Sequence, residues 1–401
     1  MVGDRRPRPE IPAHVCVSAL FAMFSARLPS FNELEQQRSK GSWKRWLGGW
    51  PLPCADELSY ILERLDLESL RLCLWRIHAK LKRNKVLGAQ GGWMVAAIDG
   101  HELPGSYKRC CPQCLKRRVE TKKGDKTLFH HRLVVFQLLG PKFRLLLDVE
   151  LVRPGEDEVG AALRLLRRVL ENHPRCFDVL CADALYLRPS VIELLEKHGK
   201  HLVATLKENQ PELLDEARRL LFEEQTPVQR FRAEYPDERE VELRSAGGFE
   251  TETIRTPLRI LHSLETKCRA GEQEEEQEKA EPSQWFWATT MPETLCPARF
   301  LRRLGHMRWE IENQGFNELV THWHADHNFH HHPNAIAAIW LVLFMAHAVF
   351  HCFYSRNLKA AVRQGHSVIH FARIMFGELL AGEWWPPPRA GPARHPAPTT
   401  P

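Results

Sequence analysis

Trp93-Met-Val-Ala-Ala-Ile-Asp99-Gly100 is the stretch on which the reading of the chain turns. It is a short apolar run without helical periodicity, preceded by Gly91-Gly92 and closed by an Asp-Gly pair. That pattern predicts a buried strand followed by a turn, with Asp99 at the strand end. A lone aspartate in such a place has an ordinary structural explanation. Its weight comes from a second occurrence, Asp178-Val-Leu-Cys-Ala-Asp183, which again reads as a short buried strand ending in an aspartate.

Between these two stretches, Leu133-Val-Val-Phe-Gln-Leu-Leu139 and Phe143-Arg-Leu-Leu-Leu-Asp-Val149 read as strands joined by a Gly140-Pro141 turn. Val159, Ala162, Leu163, Leu166, Val169 and Leu170 then recur at helical spacing. Beyond Asp183, a helix near Ser190 to His198 and a strand His201-Leu-Val-Ala-Thr-Leu206 follow. The alternation predicts an α/β fold, a mixed sheet flanked by helices.

Further out the pattern changes. Residues 1–92 carry helix-spaced leucines and end in the basic run Lys80-Leu-Lys-Arg-Asn-Lys85, which predicts an N-terminal helical module assigned to DNA binding. The core's first part covers 93–226. Residues 227–283 are polar and β-prone and include an acidic run from Glu272 to Glu281, which predicts an inserted β-rich subdomain with a disordered acidic loop. The core resumes over 284–360 with the strand Gln284-Trp-Phe-Trp-Ala-Thr-Thr290 and a long helix from Pro297 to about Val320, with Phe300, Leu304, Met307 and Ile311 on one face. Residues 386–401, rich in Pro, Ala and Arg, predict a disordered tail.

Composition bounds the function classes. With 401 residues, 43% hydrophobic and 26% charged, the chain is globular, and its net charge of +6 permits a polyanionic partner without requiring one. Eleven cysteines and an N-terminus without a secretory pattern predict a reducing, cytoplasmic location. The apolar stretch Ala335 to Phe353 is long enough to span a bilayer at ~1.5 Å per residue. It contains His347 and His351, so a buried C-terminal helix and no membrane is the expectation.

The sequence resembles the bacterial insertion-sequence DDE transposases, RNase H-like enzymes with a β-rich insertion before the catalytic glutamate. The resemblance rests on Ala97-Ile-Asp99-Gly-His-Glu102, on Val179-Leu-Cys-Ala-Asp183-Ala-Leu-Tyr186, and on Arg308-Trp-Glu-Ile-Glu312-Asn with Phe316-Asn-Glu-Leu319 after it. It implies a DNA transposase that cuts at element ends and joins strands to target DNA, with Asp99, Asp183 and Glu312 holding Mg²⁺ or Mn²⁺. Carboxylates suit hard divalent cations, and two such ions about 3.5–4 Å apart serve in-line phosphoryl transfer. Arg308 and Glu312 lie one helical turn apart and share a face, so Arg308 is placed to contact a DNA phosphate; Glu310, rotated about 200°, is the weaker choice for the acid. The implied partner is double-stranded DNA, at element ends and target, bound by a homodimer. Relatives carry a tyrosine three residues before the arginine and a lysine after the glutamate, where this chain has Gly305 and, near the lysine place, Leu319 and Val320. Those departures keep two alternatives open: a nuclease without strand transfer, and a catalytically inactive DNA-binding descendant.

Cys111-Pro-Gln-Cys114 with a later histidine, His130, makes a candidate structural zinc site. The basic residues around it, notably Lys108, Arg109, Lys122 and Lys123, form a candidate DNA-binding surface. The histidines from His322 to His332 are irregularly spaced and single out no ligand set. Trp285 and Trp287 alternate on one strand, which predicts a shared face and core packing.

Overall fold

The structure is a computed structural model and describes residues 2–39, 41–122, 124–223, 226–234, 238–267 and 281–381. The acidic run over 272–280, the tail over 386–401 and Lys123 lie outside the described residues.

The chain opens with helices α1 (Ala13–Ser25), α2 (Phe31–Gln36), α3 (Gly41–Trp46), α4 (Ala55–Leu62) and α5 (Leu67–Arg83). Helix α5 shows why this region is helical. Asp66 caps it by accepting the backbone N–H groups of Glu68 and Ser69 at 3.2 Å, Lys80, Lys82 and Arg83 fill the last turn, and Leu70, Leu74 and Leu81 form the buried stripe.

Strand β1 (Val95–Glu102) enters the sheet and is followed by a separate hairpin, β2 (Leu115–Val119) with β3 (Lys126–His130). Next come β4 (Arg132–Leu139), β5 (Arg144–Leu151), α6 (Glu158–Asn172), β6 (Val179–Ala182), α7 (Pro189–Lys197), β7 (His201–Thr205) and α8 (Pro211–Leu221). The expected β-rich insertion supplies β8 (Gln229–Ala233), β9 (Arg239–Phe249) and β10 (Leu258–Lys267), and β11 (Ser283–Thr289) returns to the core. Helices α9 (Ala298–Met307), α10 (Asn317–Trp323), α11 (Pro333–Arg356), α12 (Ala360–Gln364) and α13 (Val368–Ala381) complete the described chain.

The large sheet has nine strands in the order β5-β4-β1-β6-β7-β11-β10-β9-β8. Strands β1, β6 and β7 run parallel, and the other pairings are antiparallel. The insertion therefore continues the central sheet. Strand β11 pairs with β7 on one side and β10 on the other, so the edge of β7 never faces water as unpaired backbone.

Both faces of the central strands are apolar, as their sequences require. In β1, Ala96 and Ile98 join the cluster under α6, α7 and α8, while Val95 and Ala97 join the one under α1, α9 and α11. Helix α11 is almost wholly buried from Ala335 to Ala348 and packs on α1, α5 and β5. It is long and apolar enough to cross a membrane, yet here it is the core helix onto which the N-terminal helices close.

Candidate active site

The two aspartates are aligned by strand register. Parallel pairing of β1 with β6 ends at Ala97↔Cys181, and Asp99 and Asp183 stand two residues further along each strand. Two residues is one side-chain period, so both carboxylates are directed to the face that carries α9 and α11. Asp99 is not at the strand end expected from the Asp-Gly pair. Strand β1 keeps pairing with β4 through Asp99↔Val135 to Glu102↔Arg132 while its β6 neighbour stops. Gly100 is there for space, not for a turn. A Cβ on it would lie 2.1 Å from the Glu158 carboxylate, which also accepts the Tyr186 hydroxyl at 2.7 Å and pairs with Arg132 at 2.6 Å.

Glu312 arrives on the helix that starts as α9. The helix runs on in right-handed geometry through Arg308, opens into a π-helical turn over Ile311–Phe316, and continues as α10. Such widened turns are frequent at functional sites because they redirect one side chain without ending the helix. Arg308 is buried, and its Nη1 donates to Glu312 Oε1 at 2.5 Å and to Asp99 Oδ2 at 3.4 Å. One guanidinium thus ties together two of the three acids expected at the site. It is engaged with them here and not laid open on the surface, and its buried Nε has no hydrogen-bond partner among the described residues. Glu310 points elsewhere, paired with Arg144 at 2.5 Å.

The charges are unevenly satisfied. Burial pushes the Asp99 carboxyl up to about 7, and the negative Glu312 beside it adds to that, against the pull of Arg308 and the Gly100 N–H. Asp183 goes the other way. Burial works to raise it, but the Ala184 N–H, Lys207 and Arg308 together bring it below the usual carboxylate range. Lys207 follows β7, the strand beside β6, and its Nζ lies 3.1 Å from Asp183 Oδ1. Sequence reasoning missed Lys207; the available signal was its place just past a third parallel strand, where open α/β sheets gather their ligands.

The departures from the expected motif have physical reasons. A Cβ on Gly305 would lie 2.3 Å from the Trp287 indole, so Trp287 fills the space a larger residue would need. Leu319 is completely buried, so a lysine there would have to bury its ammonium, and Val320 is half-buried. Trp287 is a core residue, as expected from its strand. Trp285 stacks on it at 6.1 Å but also lines a cavity of about 300 Å³ with Trp309 and His306.

The cysteine pair also finds partners, with one correction. Cys111 and Cys114 gather with His131, at 3.5 and 3.3 Å from its Nε2, and not with His130, whose Nε2 lies 3.8 Å from Glu102. The two histidines straddle the junction from β3 to β4, where successive side chains turn to opposite sides. Lys108 and Arg109 are exposed in the loop before β2, their N–H groups held by Ser106 Oγ at 3.2 and 2.9 Å, and Lys122 is exposed in the hairpin turn. Another group, Glu318 with His347 and His351, is a partly buried hydrogen-bonded cluster: Glu318 Oε1 lies 2.5 Å from His351 Nε2 and accepts the Trp323 N–H at 3.2 Å.

No curated protein matches the chain. Residues 94–349 match the family model described as a transposase DDE domain, a span that takes in Asp99, Asp183, Arg308 and Glu312. Because that match covers most of the chain, and the sheet it covers is the mixed, helix-flanked RNase H-like arrangement, the protein belongs to the DDE-domain transposase family.

Proposed function

We propose that this transposase cuts DNA at the ends of its mobile element and joins the freed 3′-hydroxyls to target DNA, with Asp99, Asp183 and Glu312 holding Mg²⁺ or Mn²⁺. The observation that carries the reading is the parallel register that sets Asp99 and Asp183 each two residues past the last paired residues of neighbouring strands, together with the single guanidinium that Asp99 shares with Glu312. An all-oxygen donor set with more negative charge than its neighbours neutralise fits hard divalent cations. When bound, such ions activate the attacking hydroxyl and stabilise the leaving oxygen. The chain's own residues do the rest. Arg308 holds Asp99 and Glu312 in place, and Lys207, half-exposed beside Asp183, offers a donor to phosphate oxygens at the same edge.

In this reading Lys108, Arg109, Lys122 and Lys123 bind the backbone of double-stranded DNA, the helical N-terminal region adds to that grip, and two copies act on paired ends in the cytoplasm. A second reading, DNA binding without cutting, is favoured by Gly305 and by the buried Leu319 at the positions where relatives carry a tyrosine and a lysine. The test is cleavage of duplex element ends with Mg²⁺ or Mn²⁺ and a target plasmid present. Cleaved and joined products are expected from the wild type and none from Asp99→Ala, Asp183→Ala or Glu312→Gln. Undiminished cutting by those variants would overturn the assignment of the acids. Cutting without joined products would identify a nuclease, and binding without metal-dependent cutting by the wild type would favour the second reading.

A further inference from the structure

We propose that Cys111, Cys114, His131 and His331 form a structural zinc site that fastens the β2–β3 hairpin to the chain leaving the glutamate helix. The fourth member, His331, comes from the histidine-rich segment after α10, and its Nδ1 lies 3.9 Å from Cys114 Sγ. The other separations are 3.6 Å between the two sulfurs, and 3.5 and 3.3 Å from them to His131 Nε2. A tetrahedral zinc ion, with Zn–S ≈ 2.3 Å and Zn–N ≈ 2.0–2.1 Å, sets its sulfurs about 3.8 Å apart and its S···N pairs about 3.5 Å apart. Cys111, Cys114 and His131 stand near three corners of that tetrahedron, and His331 Nδ1, at 3.9 Å from Cys114 Sγ, reaches the fourth by a turn of its ring; the two sulfurs keep 3.6 Å. They are too far apart for a disulfide, whose sulfurs must approach to about 2.05 Å.

The surroundings are those of a metal site. Cys114 and His131 are each 3% exposed, so the cluster is closed to solvent on one side. The turn Cys111-Pro112-Gln113-Cys114 is closed by the Cys114 N–H to the Cys111 carbonyl at 3.1 Å, and the Cys111 N–H lies 3.2 Å from Cys114 Sγ, where it stabilises a thiolate.

The hairpin needs such a fastening. Strands β2 and β3 form their own two-stranded sheet of five-residue strands, with Lys116, Arg117, Arg118 and Lys126 exposed. Two strands with little apolar surface are marginal alone, and an ion at their base supplies what burial does not. The site then holds this basic arm at a fixed place relative to the helix of Glu312.

The test is metal content, a readout that does not depend on cleavage. The full chain, purified under reducing conditions and dialysed after exposure to zinc, is expected to hold one zinc per chain, and a mercurial thiol reagent should release it. Cobalt in its place should show the strong visible bands of a tetrahedral thiolate complex. Cys111→Ser, Cys114→Ser and His131→Ala should lose the metal. His331→Ala should weaken zinc in chelator competition by more than the ~10–100-fold that loss of an outer partner causes. His130→Ala and Asp99→Ala should keep it. A wild type that retains no zinc overturns the proposal, as does zinc held by the wild type and not released by the mercurial. Should His331→Ala hold zinc as tightly as wild type, the fastening to the later segment is disproved, and that variant alters a half-exposed residue, so its fold is not at stake.

Discussion

Two buried carboxylates are served by the same helix and end in opposite states. Glu265 on β10 receives both Nε and Nη2 of Arg302 at 2.8 and 2.7 Å, His306 Nε2 at 2.7 Å and the Ser263 hydroxyl at 2.9 Å. Burial alone would raise its pKa, but His306 and Arg302 outweigh it and hold the carboxyl down at about 2. Six residues after Arg302, Arg308 serves Asp99 and must also serve Glu312, and Asp99 is pushed up to about 7. The first acid is matched donor for acceptor and belongs to the architecture. The second shares its donor with a rival, and that shortage of positive charge supports the proposed cation site.

The sharpest way to break this contrast is to truncate each acid. Glu265→Ala leaves Arg302 buried and unpaired and should cost about 3–5 kcal/mol, read by urea denaturation. Asp99→Asn should leave stability within about 1 kcal/mol of wild type, since it also removes repulsion with Glu312, while ending DNA cleavage. Equal destabilisation by the two would erase the distinction. The same carboxylate predicts a pH window. Because the folded value of Glu265, about 2, lies below its ordinary 4.5, its contribution is full above pH 4.5 and is lost as pH falls through about 2. The advantage of wild type over Glu265→Gln should therefore shrink by about 3 kcal/mol across that interval. A constant advantage from neutral pH to pH 2 would mean the ion pairs are not what holds this acid.

Smaller effects sharpen the comparison from the helix itself. Gly305→Ala, pressed against the Trp287 indole, should cost about 1–3 kcal/mol, and Trp287→Ala should relieve much of that in a double-mutant cycle. Additive costs would show that the indole is not the obstacle. Arg308→Lys should change stability by about 1 kcal/mol or less yet slow cleavage, because an ammonium cannot span two carboxylates as a planar guanidinium does. Cleavage at the wild-type rate would make the positive charge alone sufficient.

The strands of the core were legible because a strand buried on both faces must be a short, continuous apolar run, as Val95 to Ile98 and Val179 to Ala182 are. The Arg308–Glu312 relation was legible because four residues close one helical turn, and the pair does meet at 2.5 Å. Other features were hidden for equally physical reasons. His130 and His131 are adjacent in sequence, and only the turn of the backbone at the β3–β4 junction decides which faces the cysteines. Gly100 reads as a turn residue because nothing local announces the Glu158 carboxylate that needs its missing Cβ.

By itself, then, the sequence determined the elements and the types of residue available for chemistry, because side-chain period and helical pitch are local properties of the chain. The tertiary structure decided which of those residues meet. It extended the sheet through the insertion, closed the N-terminal helices onto α11, and brought His331 across 217 residues of chain to Cys114. Contacts of that range follow from how buried faces pack, and packing is settled by the whole set of faces together.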